Sequence, residues 1–178
     1  MAKTPAAEKP ATPLKKAAAK TPAKKPAVKT PAVQEAAPVA PPPAATGYGT
    51  PGSPWQLKTP PGTADFTAHR DETADPPALV VRVGKTELRY RLRCLADLHA
   101  MLTAHGDWLP LGSADEQKPA ADGTVEAWGR SASNPVGGWY GLKKGLRGRF
   151  GMYVPPVLEA LGLAEVEHHP KSNRMRAK

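Results

Sequence analysis

The chain has 178 residues, only 6% of them aromatic, and a formal net charge of +9, so it has room for one modest core and a bias toward anionic partners. A lone cysteine, Cys94, excludes an intrachain disulfide, and no apolar run reaches the roughly eighteen residues that a membrane helix needs. Lys and Pro interrupt every apolar run near the N-terminus, so a secretory leader is not expected; the reading is cytoplasmic, with no membrane partner.

The charge is uneven. Residues 1–50 hold eight lysines and two glutamates, or +6, whereas residues 51–178 hold seventeen Lys or Arg against fourteen Asp or Glu, or +3. Residues 1–53 are almost entirely Ala, Pro, Lys, Thr and Val, with Thr-Pro recurring at Thr4, Thr12, Thr21 and Thr30. This composition cannot bury enough apolar surface to offset an ordering cost of about 1–2 kcal/mol per residue. Proline also blocks helix and sheet ladders, so a disordered tail with polyproline II bias is expected. Lys3, Lys9, Lys15, Lys16, Lys20, Lys24, Lys25 and Lys29 would then lie along a phosphate backbone and release its counterions. A lysine-dotted spacer is the competing reading, and the lysine-free stretch 34–45 is a spacer on either view.

Composition shifts at Pro54-Trp55, which sets the expected domain at 54–178. Within it, "ALVVRVGKTELRYRL" reads as a hairpin turning at Gly84-Lys85. Pairing Val83 with Thr86 places Arg82 opposite Glu87, Val81 opposite Leu88 and Leu79 opposite Tyr90. One face is then apolar. The other carries Arg82, Arg89 and Arg91 and reads as a solvated face. "CLADLHAMLTAHG" follows with Leu95, Leu98, Met101 and Leu102 at helical spacing and Gly106 as its stop. His99 and His105 have no partner at metal-ligand spacing. Ser113 to Glu116 fits a capping box, and Thr124 fits the cap of a short turn reaching Trp128. Trp108 and Trp128 read as anchors at or near the core. Asp115, Glu116 and Glu126 read as N-terminal helix charges, not as an acid/base set.

Next comes "GGWYGLKKGLRGRFG". Lys143, Lys144, Arg147 and Arg149 fall together without an acid, beside Trp139, Tyr140 and Phe150. Two readings stand. Trp139 and Tyr140 could stack nucleic-acid bases while the four cations hold phosphates. Alternatively, the glycines let the element pack tightly, with aromatics inward and cations reaching out. The spacing does not match a phosphate-binding nucleotide loop, because Gly145 precedes leucine and no hydroxyl follows. "PVLEALGL" then reads as a short helix with Pro156 in its first turn and Gly162 as its stop. "AEVEHH" and "NRMRAK" flank a turn and read as a terminal hairpin. A helix followed by a basic-tipped hairpin is the closing order of a winged helix, with His168 to Arg176 as the wing. Adjacent His168 and His169 would face opposite sides of a strand and hold no metal.

The blocks "PWQLKTPPGT", "GDWLPLGSADEQKPA", "NPVGGWYGLKKGLRGRFGMYVPPVLEALGLAEV" and "NRMRA" resemble a small uncharacterised actinobacterial family, a domain of unknown function. The resemblance spans 54–178 and implies a bacterial cytoplasmic setting, but no activity or site residues. The tail resembles the Lys/Ala/Pro tails of linker histones and of extended HU-type nucleoid proteins. The expectation is a single small α+β domain with two β-hairpins and three to four short helices, winged-helix-like in its closing unit. Its expected function is non-enzymatic, sequence-tolerant binding of nucleic acid, DNA above all, without a cofactor. A protein-interaction adaptor on a flexible tether is the alternative.

Overall fold

A computed structural model describes residues 49–114, 118–143 and 149–178. Residues 1–48 of the tail, Asp115 and Glu116 of the Ser113–Glu116 box, Lys144 and Arg147 lie outside the described residues. Four strands come first: β1 (Trp55–Lys58), β2 (Asp65–Asp71), β3 (Ala78–Val83) and β4 (Thr86–Arg91). They form one antiparallel sheet in the order β1-β2-β3-β4. The β3–β4 register is the one read from the sequence, with Val83 opposite Thr86, Arg82 opposite Glu87, Val81 opposite Leu88 and Leu79 opposite Tyr90. Strands β1 and β2 are an addition. They place Trp55, Phe66 and Ala68 on the buried side beside Leu79 and Val81.

Among the described residues, Gly49 already makes folded contacts upstream of Pro54. Its carbonyl accepts the Arg70 N–H at 2.7 Å, and it packs so closely on Trp55 that a Cβ there would collide with the indole. The Arg70 guanidinium lies over the same indole, 5.3 Å from its centre.

Helix α1 (Cys94–His105) matches the expected stripe: Leu95, Leu98 and Leu102 are buried. Gly106 takes the left-handed conformation at its end and donates to the Leu102 carbonyl. Strand β5 (Leu109–Pro110) and helix α2 (Val125–Trp128) follow. Thr124 caps α2 as its sequence suggested, its Oγ1 accepting the Ala127 N–H at 3.1 Å.

Helix α3 (Phe150–Ala160) starts six residues before the expected Pro156, and both Pro155 and Pro156 lie inside it. They supply no N–H to the carbonyls one turn back. What holds the helix is burial. Phe150, Tyr153, Val154, Val157 and Leu158 are all in the core, and α3 packs against β1, β6, α1 and α2. Its end is a Schellman motif: Gly162 N–H donates to the Glu159 carbonyl and Leu163 N–H to Leu158. The terminal hairpin forms as expected from β6 (Ala164–Val166) and β7 (Arg174–Ala177). Strand β5 joins it to give a second antiparallel sheet, β5-β7-β6. The protein is thus α+β, with two antiparallel sheets and, among the described residues, three helices.

Candidate functional site

The basic run 143–149 is bounded by two anchored ends. Upstream, Tyr140 to Leu142 lies beside β4: Arg91 N–H donates to the Tyr140 carbonyl and Leu142 N–H to the Arg89 carbonyl, each at 2.8 Å. Downstream, Arg149 N–H donates to the Ala114 carbonyl, and Arg149 enters α3 with φ 61°, a left-handed conformation that a non-glycine residue adopts only when its surroundings hold it. The rings on either side of the run meet. Tyr140 and Phe150 lie 5.5 Å apart and 28° from parallel, and both are fully buried. They form a neck that brings the flanks of the run together.

A carboxylate inside the protein secures the downstream end. Glu126, fully buried on α2, accepts the Gly151 N–H at 2.7 Å through Oε2. Its Oε1 accepts Arg130 Nε at 2.9 Å and Nη2 at 2.5 Å. Arg130 also donates to the carbonyls of Ala114 and Lys118. A negative charge at the first turn of a helix is favourable, and here the fold supplies it. Glycine at 151 is required sterically, since a Cβ would collide with the Leu111 carbonyl oxygen. The α3 N-terminus is therefore already occupied from within. Glu126 does stand in the first turn of α2, as its sequence position suggested; its burial and its tie to Gly151 were not read, and the i, i+4 spacing to Arg130 was the available signal.

The expected contact residues fall into different places. Lys143 and Arg149 are exposed. Lys144 and Arg147, like Lys15, Lys16, Lys24 and Lys25, lie outside the described residues. Tyr140 is not a base-stacking platform as it stands: its ring is 0% exposed and its hydroxyl donates to Asp97 Oδ2 at 2.8 Å. Burial and that hydrogen bond push its pKa well above the ordinary phenol range, so it stays a donor. Trp139 is half-buried. Arg130 lies over its ring at 5.8 Å and Tyr90 meets it edge-on at 5.8 Å. Its Nε1 is buried without an acceptor, and Gly141 packs against it. Protein partners thus take up both rings, which is the inward-facing alternative of the two readings.

Elsewhere the domain neutralises its own arginines. Arg82 and Arg89 pair with Glu87 at 2.9 and 3.0 Å, Arg93 with Asp97 at 2.7 Å, Arg174 with Glu167 and Arg176 with Glu165, each at 2.6 Å. Arg174 and Arg176 also lie over the Trp108 ring. The Arg82/Arg89 face is hence a solvated, internally paired surface. Among the described residues no carboxylate pairs with Arg91, beside the upstream anchor. In sequence no acidic residue occurs between Ala127 and Leu158, although Arg130 within that stretch pairs with Glu126.

From α1 onward, the order helix, strand, helix, helix, hairpin is that of a winged helix. The element that would enter a DNA groove, α3, is buried, however; Tyr153 meets Phe66 of β2 edge-on at 5.2 Å. Groove reading by α3 is closed off by the sheet β1–β4. Among the described residues, no three His, Cys, Asp or Glu side chains stand together as a metal site, and no helix is long and apolar enough to cross a membrane.

No curated protein and no solved structure was found to match the chain. One family model does match, over residues 47–178, and the chain therefore belongs to the Family of unknown function (DUF6855).

Proposed function

We propose that the protein binds nucleic acid, most simply DNA, without sequence preference and without catalysing a reaction. The tail lysines supply diffuse charge and Lys143, Lys144, Arg147 and Arg149 a fixed contact. The observation that carries this reading is the layout of charge. Carboxylates of the domain pair six of its described arginines, and the sequence between the Tyr140 and Phe150 anchors gathers four cations without an acid. With α3 covered, contacts to phosphates fit this arrangement better than base reading in a groove. Joining two weak sites on one chain raises the effective concentration of the second, so neither has to be strong. The reading places the protein in a bacterial cytoplasm, associated with the nucleoid, its tail serving as those of linker histones do.

The test is a mobility-shift series across salt concentrations, using the full chain and a chain lacking residues 1–46. Four run cations on duplex DNA correspond to a log–log slope of about −3.6, steeper with the tail present. Removing the tail is expected to flatten the slope, and Arg147→Ala with Arg149→Ala to weaken what remains. Binding that is absent or insensitive to salt at low ionic strength would overturn the reading.

A further inference from the structure

Trp128 packs against both rings of the neck, 5.5 Å from Tyr140 and 6.2 Å from Phe150. Unlike them it is only half-buried, and it lines an open groove of about 600 Å³ with Asp122, Thr124, Arg130, Ser131 and Ser133. That volume lies within the range of small-ligand sites and accommodates a nucleotide. Tyr140 covers one side of the indole, so Trp128 shows the groove its remaining face and rim. On the same groove, the Ser131 and Ser133 hydroxyls lie 2.7 Å apart and can turn as donors or acceptors. Glu126 and two backbone carbonyls fix the Arg130 guanidinium at the same wall.

We infer that this groove seats one unpaired nucleobase on Trp128, from a strand whose phosphates follow the basic run. The inference rests on the nucleic-acid reading and narrows it to single strands or duplexes with open bases. Three observations favour a base over other occupants. The groove adjoins the neck of the basic run through direct ring contacts. Its Trp128–Ser133 wall carries Arg130 and no acid, the one carboxylate among the described lining residues being Asp122. It offers one aromatic face with hydroxyls beside it, which matches a flat heterocycle with polar edges. A proline-rich peptide would dock on a groove lined by several aromatics, and here Trp128 is the aromatic lining residue.

The experiment uses the full chain with a short oligothymidylate and with the same strand paired to oligoadenylate, at one fixed salt concentration. Affinity is read by fluorescence anisotropy, and contacts by ultraviolet cross-linking of an iodouracil-substituted strand mapped by mass spectrometry. The single strand is expected to bind more tightly than the duplex and to cross-link at Trp128. Trp128→Ala should lower single-strand affinity by roughly 5- to 150-fold and leave duplex affinity unchanged. Because Trp128 also packs on the core, the exposed rim variant Ser133→Glu provides a second test, and it should weaken the single strand selectively. Equal binding of both strands with cross-links confined to the tail or the run overturns the base seat alone. So does a groove that takes up a proline-rich peptide in place of the strand. Binding of neither strand overturns this inference together with the reading beneath it.

Discussion

Replacing Glu126 probes the joint on which the candidate site stands. The carboxylate is fully buried, and it accepts two hydrogen bonds from Arg130 and one from the Gly151 N–H. Glu126→Ala removes all three acceptor contacts. It leaves a guanidinium whose side chain is only 16% exposed without its counter-charge, and a helix N–H without a partner. Removing one member of a buried ion pair costs about 3–5 kcal/mol, most of it the stranded charge of the survivor. For a domain of this size that corresponds to a fall in Tm of roughly 10–20 °C. Glu126→Gln keeps the shape but loses the charge and turns an amide toward donors, so it is expected to fall between the two. Arg130→Met combined with Glu126→Gln should cost less than the sum of the single changes, because no orphaned charge remains. Thermal unfolding followed by circular dichroism measures all four variants. A Tm for Glu126→Ala within about 3 °C of the parent would refute the claim that this pair anchors α3.

Two further outcomes follow from contacts already described. Gly151→Ala should destabilise the fold by about 2 kcal/mol or more, read as a lower urea midpoint, because the Leu111 carbonyl it would strike is backbone and cannot swing aside. The surface pairs set an acid response. The Thr73 hydroxyl holds Asp71 below the usual carboxylate range, Arg82 does so for Glu87, and Arg174 for Glu167. Groups depressed in the folded state stabilise it above their unfolded pKa. That contribution is lost as pH falls through their folded values, so Tm should decline below about pH 4. Glu87→Gln with Glu167→Gln should flatten the decline.

The parts of the fold that were legible in sequence are those with a local cause. Gly84-Lys85 and the alternation around it specify the β3–β4 register, and the leucine spacing with Gly106 marks both face and end of α1. Strands β1 and β2 were hidden because small or polar residues break their alternation: Ala68 faces the core and Arg70 lies over an indole. The start of α3 was hidden because Pro155-Pro156 imitates a first turn. Only the Glu126 contact, twenty-five residues distant in sequence, reveals the true one. The same holds at the candidate site. Its cations are plain in the sequence, but aromatic residues beside cations look alike whether they point in or out. Burial separated Tyr140 from Trp128 for reasons of tertiary packing.

The ring neck has a consequence for how this protein can change. Because Tyr140 and Phe150 meet, the chain on either side of the basic run is moored by groups that belong to the core. Tyr140 and Phe150 are therefore the fixed points that any change of sequence between them has to respect.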